Sequence, residues 1–138
     1  MPPVFLRFPD LQGGGPTVQL RITPAAKSVK GKRPSAKTLP LNALIDTGAS
    51  ATVLKRGLPA FLGLQPTSNA YVHTASSTNV LCDEFAVSLI LPQGFKIRTT
   101  ALELPLNTRG IDCLIGRDVL AQCVMTYIGP ENQVILAF

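Results

Sequence analysis

The sequence is poor in the residues that build metal and nucleophile sites. It contains a single histidine, His73, and nothing around it has the pattern of a Ser–His–Asp or Cys–His catalytic site. A zinc site needs several ligands at characteristic spacings, which the sequence does not offer. We therefore interpret His73 as a polar residue on a strand and expect no metal site.

Cysteine is also scarce. The three residues Cys82, Cys113 and Cys123 are an odd number and include no Cys-x-x-Cys pair. Such a set argues against a disulfide framework and favours reduced thiols. Cys113 and Cys123 lie in apolar stretches, where we expect them to act as small buried hydrophobic side chains.

Long apolar runs are absent. No run approaches the roughly 18–20 residues that a membrane helix needs. The N-terminal apolar piece, Val4–Phe8, is interrupted by Arg7 and is too short for a secretory signal. The pattern predicts a soluble, cytoplasmic protein without a membrane partner, unless the chain is excised from a longer one.

Charge is low and unevenly placed. Charged residues make up only 15% of the chain and apolar residues 46%, enough for a sizeable core. Such a surface is either partly covered by a partner, as in a homodimer, or built from loops rich in proline and glycine. Much of the net charge of +5 falls between Lys27 and Lys37. Without interleaved aromatic residues, this segment favours a solvated loop over a nucleic-acid contact.

Short segments with strand character recur along the chain. Thr17–Thr23 alternates apolar and polar residues, as a half-buried strand does. Val124–Ile128 and Val134–Phe138 flank a turn and predict a terminal hairpin. The other predicted strands are Val4–Phe8, Leu39–Ile45, Thr52–Leu54, Asn69–His73, Val80–Leu91 and Phe95–Leu104, and Ile111–Gly116 is an apolar run that ends in glycine.

Helical character is limited. Arg117–Cys123 is the most helix-like piece, Leu58–Leu64 is predicted to form a turn or two of helix, and Gly13–Pro16 is predicted to be a break. No repeat or linker divides the chain. We therefore predict one domain over residues 1–138, mainly β, with a closed or partly open barrel and one short C-terminal helix.

One apolar strand leads directly into a carboxylate-bearing turn, Asp46-Thr47-Gly48-Ala49-Ser50. No other acid occurs between Asp10 and Asp83, so Asp46 has no neighbouring carboxylate in the sequence. A metal site built from oxygen ligands needs several of them, and we therefore do not expect one around Asp46. Gly48 is expected to permit close backbone approach and dihedral angles that other residues avoid. Asp-Thr-Gly is also ordinary turn chemistry, in which the aspartate caps its own turn.

Two motifs together resemble the signatures of the retropepsins, the retroviral-type aspartic proteases. The first is two apolar residues followed by Asp-Thr-Gly-Ala, here Leu44–Ala49. The second is two apolar residues, a glycine and Arg-Asp at the start of a helix, here Leu114–Asp118. A strand–turn–strand between them stands where the family keeps its flap. The resemblance covers roughly Thr17 to Cys123.

The resemblance implies a role for each matching residue. Asp46 would be catalytic, and Thr47 would cross-bond with its twin from a second subunit. Gly48 would present its backbone carbonyl to the substrate, and Ala49 and Ser50 would complete the substrate-binding loop. The implied supporting residues are Leu114, Ile115, Gly116 and Arg117, and the implied flap residues are Thr74, Ala75, Ser76 and Ser77.

The implied activity is that of an aspartic endopeptidase acting on an extended peptide or protein. Two carboxylates would share one proton and activate a water, without a covalent intermediate or a cofactor. The chain has one suitable aspartate, so a homodimer would supply the second. The alternative is a retropepsin-like dimerisation or binding domain with little or no proteolytic activity.

The sequence departs from the family in three places. Many viral members have an acid where Ser50 stands, paired with the arginine of the second motif, so the partner of Arg117 is open. The flap sequence Ala75-Ser76-Ser77 contains no glycine, although family flap tips are usually rich in it. The basic loop at about residues 24–37 is long for the family and resembles an insertion.

Overall fold

The computed structural model describes residues 2–25, 40–74 and 77–138. These residues form ten strands: β1 (Val4–Arg7), β2 (Thr17–Pro24), β3 (Leu41–Ile45), β4 (Val53–Lys55), β5 (Ser68–Val72), β6 (Val80–Ile90), β7 (Lys96–Leu104), β8 (Cys113–Ile115), β9 (Val124–Ile128) and β10 (Gln133–Ala137). They also form three helices of 4 residues each: α1 (Leu11–Gly14), α2 (Leu58–Phe61) and α3 (Arg117–Leu120). The basic segment Lys27–Lys37 and the flap residues Ala75 and Ser76 lie outside the described residues.

Six strands close into a barrel in the order β2-β3-β8-β4-β7-β6, and β2 completes the ring by pairing with β6 from Arg21↔Ile90 to Pro24↔Val87. The β3–β8 and β4–β7 pairs are parallel, and the other pairs of the ring are antiparallel. Strand β5 pairs with β6 outside the ring. The expected mainly β barrel is confirmed.

Alternating side chains explain which face of each strand is buried. In β2, Val18, Leu20 and Ile22 point into the core, whereas Gln19 and Arg21 are exposed. Strand β3 has the same pattern of alternating burial. Because β3 is anchored in this way, the turn that follows it is held at the edge of the core.

A second sheet joins the two ends of the described chain. It has the order β1-β10-β9, and the predicted terminal hairpin is its β9–β10 part. Val4 pairs with Leu136 and Leu6 with Val134, and all four side chains are buried in the same core as the barrel. The sheet therefore packs onto the barrel as part of one hydrophobic core.

The helices are single turns. Asp10 caps α1, because its Oδ1 accepts a hydrogen bond from the Gly13 N–H at 3.0 Å, so Gly13 and Gly14 of the predicted break belong to a helical turn instead. The break itself falls at Gly15, whose φ is +69°. The expected C-terminal helix is present as α3, but it ends at Leu120 rather than Cys123, where bonds between residues three apart tighten the chain.

No helix in the described ranges has both the length and the apolar character needed to cross a membrane.

Candidate active site

Asp46 lies where two parallel strands end side by side. Strand β3 delivers it, and β8 runs alongside with Ile45 opposite Ile115. The Asp46 N–H continues this pairing by donating to the Ile115 carbonyl at 2.9 Å. The position of the carboxylate is therefore fixed by both sequence motifs, which the fold brings into direct contact.

The turn holds the carboxylate through its own backbone. The Gly48 N–H donates to Asp46 Oδ1 at 2.9 Å, and the Ala49 N–H donates to the Asp46 carbonyl at 3.2 Å. Gly48 does not adopt a positive φ, so the expectation of an unusual dihedral angle is wrong. A Cβ at this position would lie 3.1 Å from Asp46 Oδ1, so the glycine gives room for the carboxylate.

The second motif lies against the turn. A Cβ on Gly116 would come within 2.4 Å of the Ala51 backbone, so only glycine allows this approach. The Arg117 N–H donates to the Ala49 carbonyl at 2.8 Å. The start of α3 is thus fastened to the chain just after Asp46.

The side chain of Arg117 has a backbone partner. Its Nη1 donates to the Thr47 carbonyl at 2.7 Å, a charge-assisted hydrogen bond. Ser50 offers no carboxylate, and the guanidinium bonds the neighbouring loop backbone instead. The same loop that carries Asp46 is therefore held from α3 by both the backbone and the side chain of Arg117.

A polar network behind the turn was not predicted from the sequence. Asp118 accepts hydrogen bonds from Thr52 Oγ1 at 2.9 Å and Thr99 Oγ1 at 2.6 Å. The fully buried Thr52 hydroxyl also accepts from the Gly116 N–H at 3.3 Å. The network ties α3 to the start of β4 and to β7. The signal in the sequence that could have indicated this network was Thr52, a polar residue next to the apolar residues of β4.

The predicted flap is the β5–β6 hairpin. Its strands pair up to Val72↔Val80. Beyond them the Thr74 N–H donates to the Ser77 carbonyl at 2.8 Å, and the Ser77 N–H donates to Thr74 Oγ1 at 3.1 Å. His73 follows β5 and is exposed, so its interpretation as a strand residue is wrong.

These elements surround an open cleft of about 780 Å³. Its apolar lining comes from Val53, Val72, Val80, Leu102, Leu104, Leu106 and Leu114. Among the predicted site residues, Asp46, Gly48, Ala49, Ser50, Thr74, Ser77, Leu114 and Arg117 line the cleft, whereas Thr47, Ile115 and Gly116 do not. The structure adds Arg56, His73 and the connection 105–107 to the lining, which sequence motifs alone did not single out.

The three thiols are free, and none is activated. Burial raises the pKa of Cys113 to about 12, helped by the negative charges of Asp112 and Asp118. Burial also raises the pKa of Cys82 and of Cys123. A protonated thiol is a poor nucleophile. No group of three or more His, Cys, Asp or Glu side chains suited to a metal ion occurs in the described residues.

The chain was compared with known protein families and solved structures, and the family match spans both motifs. A family model described as aspartyl protease matches residues 28–119. The fold is similar to EIAV protease complexed with the inhibitor HBY-793, with a TM-score of 0.55 and 23% identity over 78% of this chain and 86% of that one. No curated protein matches the sequence.

Two further solved structures share the fold. The retropepsin-like aspartic protease from Rickettsia conorii has a TM-score of 0.57 and 12% identity, over 99% of this chain and 91% of its own. The retroviral protease-like domain of Ddi1 from Leishmania major has a TM-score of 0.51 and 14% identity, over 88% and 91%. The barrel is therefore retropepsin-like.

Proposed function

The chain belongs to the aspartyl protease family, and we propose on that basis that it is an aspartic endopeptidase that works as a homodimer. The observation that carries the proposal is the placement of Asp46. Its half-buried carboxylate lies in the cleft, at the shared end of two parallel strands, and is held by the Gly48 N–H.

The need for a second copy follows from the acids of the chain. Among the cleft-lining residues Asp46 is the only carboxylate. Asp112 and Asp118 are engaged elsewhere, since Asp112 accepts from the Asn42 N–H at 3.0 Å and Asp118 from two threonines. Acid–base hydrolysis by a carboxylate pair needs two, so the second Asp46 comes from a partner related by twofold symmetry.

Each carboxylate then has a separate task. Like charges held this close cannot both ionise, so the pair shares one proton. The ionised member takes a proton from a water, whose oxygen attacks the scissile carbonyl carbon, and the protonated member donates its proton to the carbonyl oxygen, giving a tetrahedral diol. As the diol collapses, the C–N bond breaks: the carboxylic acid formed in the first step protonates the departing amine nitrogen, and the other carboxylate takes a proton back from a diol hydroxyl. Water is the nucleophile, so no covalent intermediate forms. Gly48 and Ala49 bind the peptide, and the exposed Thr47 side chain bonds to its twin.

The substrate is an extended peptide or protein segment. An extended chain can add to the strands of the β5–β6 hairpin through backbone hydrogen bonds while its side chains enter alternate pockets. The cleft lining is largely aliphatic, which favours apolar residues next to the bond that is cleaved. Thr74 and Ser77 belong to the part of the hairpin that closes over the bound peptide.

The test is the substitution Asp46→Asn. Asparagine has nearly the same shape but cannot act as the base, and in a symmetric dimer one substitution removes both carboxylates. Cleavage of a mixed peptide library should fall by at least roughly a thousandfold, because the acid–base step is lost. Wild type should show a rate maximum as pH is varied, since one carboxylate must be protonated and the other ionised.

Circular dichroism and sedimentation serve as controls for folding and for the dimer. Equal cleavage by wild type and Asp46→Asn would show that Asp46 is not catalytic. If neither protein cleaves any peptide, the chain acts instead as a dimerisation or binding domain.

A further inference from the structure

The charges in the cleft are unbalanced. Two arginines, Arg56 and Arg117, line it together with a single acid, Asp46. All eight acidic residues of the chain belong to the described ranges, and the other seven lie outside the cleft lining. In the dimer the cleft would hold four guanidinium groups around one carboxylate pair that shares a proton.

The two arginines differ in how they are engaged. The Arg117 guanidinium bonds the Thr47 carbonyl at 2.7 Å. The Arg56 backbone is fixed, because its N–H donates to the Leu104 carbonyl at 3.1 Å. Its side chain is exposed, and its guanidinium has no hydrogen-bond or ion-pair partner within the described part of the chain.

One acid close to Arg56 in the β4–β7 ladder, Glu103, is engaged with the backbone of the turn that follows. Glu103 follows Leu102 on β7, pairs with Leu54 in the parallel β4–β7 ladder, and accepts the Gly57 N–H at 2.8 Å through Oε2. Its carboxylate therefore holds the turn after Arg56. Within the described ranges, the guanidinium of Arg56 therefore has its planar set of donors available for a carboxylate of the substrate.

We propose that Arg56 selects substrates with an acidic side chain near the scissile bond, because Arg56 lines the cleft with an exposed side chain, whereas the other arginine of the described lining, Arg117, is tied to the loop. The inference rests on the proposed function and names the substrate class: extended peptides with an apolar centre and flanking Asp or Glu. Twofold symmetry places one Arg56 on each side of the cleaved bond, so the preference extends to both sides.

The test uses peptides that share an apolar centre and carry one Glu or one Gln at each flanking position in turn. Wild type should have a kcat/KM roughly three- to tenfold higher for the best Glu peptide than for its Gln match, as an exposed but bidentate ion pair would give. Raising the salt concentration should shrink this ratio. In Arg56→Gln the ratio should fall to about one.

Arg98→Gln is the matched control, since Arg98 is exposed on β7 and does not line the cleft. It should keep the wild-type ratio. Equal rates for Glu and Gln peptides in wild type, or an unchanged ratio in Arg56→Gln, would overturn the inference while leaving the protease activity intact.

A binding measurement separates the two proposals. Binding of labelled Glu and Gln peptides is measured by fluorescence anisotropy with two proteins, the single variant Asp46→Asn and the double variant Asp46→Asn/Arg56→Gln. Absence of cleavage by wild type would count against the endopeptidase function alone, and a Glu preference in binding that depends on Arg56 would still support the inference. Equal affinities for both peptides would reject it.

Discussion

Contacts with the backbone restrict which side chain can stand at some positions of the site. Gly116 is the clearest case, because any side chain there would collide with the Ala51 backbone. The contact joins β8 to the loop that carries Asp46. A residue that does not line the cleft thereby determines how closely the two motifs approach.

Gly116→Ala should destabilise the fold by about 1–3 kcal/mol, since overpacking forces backbone shifts. Urea unfolding measures the change. Gly14→Ala is the control, because a Cβ there meets nothing within 4 Å and alanine favours a helix. An equal effect of both substitutions would mean that the loop yields to the added methyl group.

Cys113 should make stability sensitive to alkaline pH. Its pKa is raised to about 12 in the folded chain, whereas an unfolded cysteine ionises at about 8.5. Between these values the unfolded state loses a proton that the folded state keeps, so the free energy of unfolding falls as pH rises, by up to about 1.4 kcal/mol per unit.

Unfolding free energies at pH 8 and pH 10 test this expectation. The decline should be smaller in Cys113→Ala than in wild type, and Cys123→Ala should change it less because Cys123 is only half-buried. Identical declines in wild type and Cys113→Ala would show that the thiol does not carry the effect.

Among the elements, the β5–β6 hairpin differs most from the barrel. Two of its large side chains are exposed, Tyr71 at 71% and Leu81 at 55%, whereas Val87 and Leu89 farther along β6 are fully buried. Few buried contacts hold its end. We expect the segment Tyr71–Leu81 to exchange amide hydrogens faster than β3 and the barrel part of β6.

Hydrogen exchange with and without an uncleavable peptide analogue measures closure of the hairpin. Binding should slow exchange in Tyr71–Leu81 and leave β3, already protected, unchanged. Equal exchange of the hairpin in both states, with binding confirmed separately, would contradict its role as a flap.

The elements also show how far sequence reasoning reaches. Alternation and turn chemistry located the strands, as in β2, because burial of every second residue leaves a direct pattern. The pairing of β1 with β10 and of β2 with β6 had no such local pattern, since both join distant segments. The partner of Arg117 and the Asp118 network depend on these long-range placements, and so does the cleft position of Arg56.

At the scale of the whole molecule, the expected assembly is a dimer. Each chain contributes one carboxylate to its cleft, that of Asp46, which is half of the pair that the proposed mechanism needs. Sedimentation at micromolar concentration should give about twice the chain mass, and Asp46→Asn should assemble at least as well because no like charges then meet. A protein that remains monomeric at high concentration would contradict the two-chain mechanism.

The β1-β10-β9 sheet affects the order in which the hydrophobic core can form. Among the ten described strands, β1 is synthesised first and its partner β10 last. The apolar Val4 and Leu6 therefore lack their partners Leu136 and Val134 until all the described strands between them have been made. Contacts so distant in sequence slow folding and leave the early strand open to wrong partners. The core is therefore complete only once β10 has paired with β1.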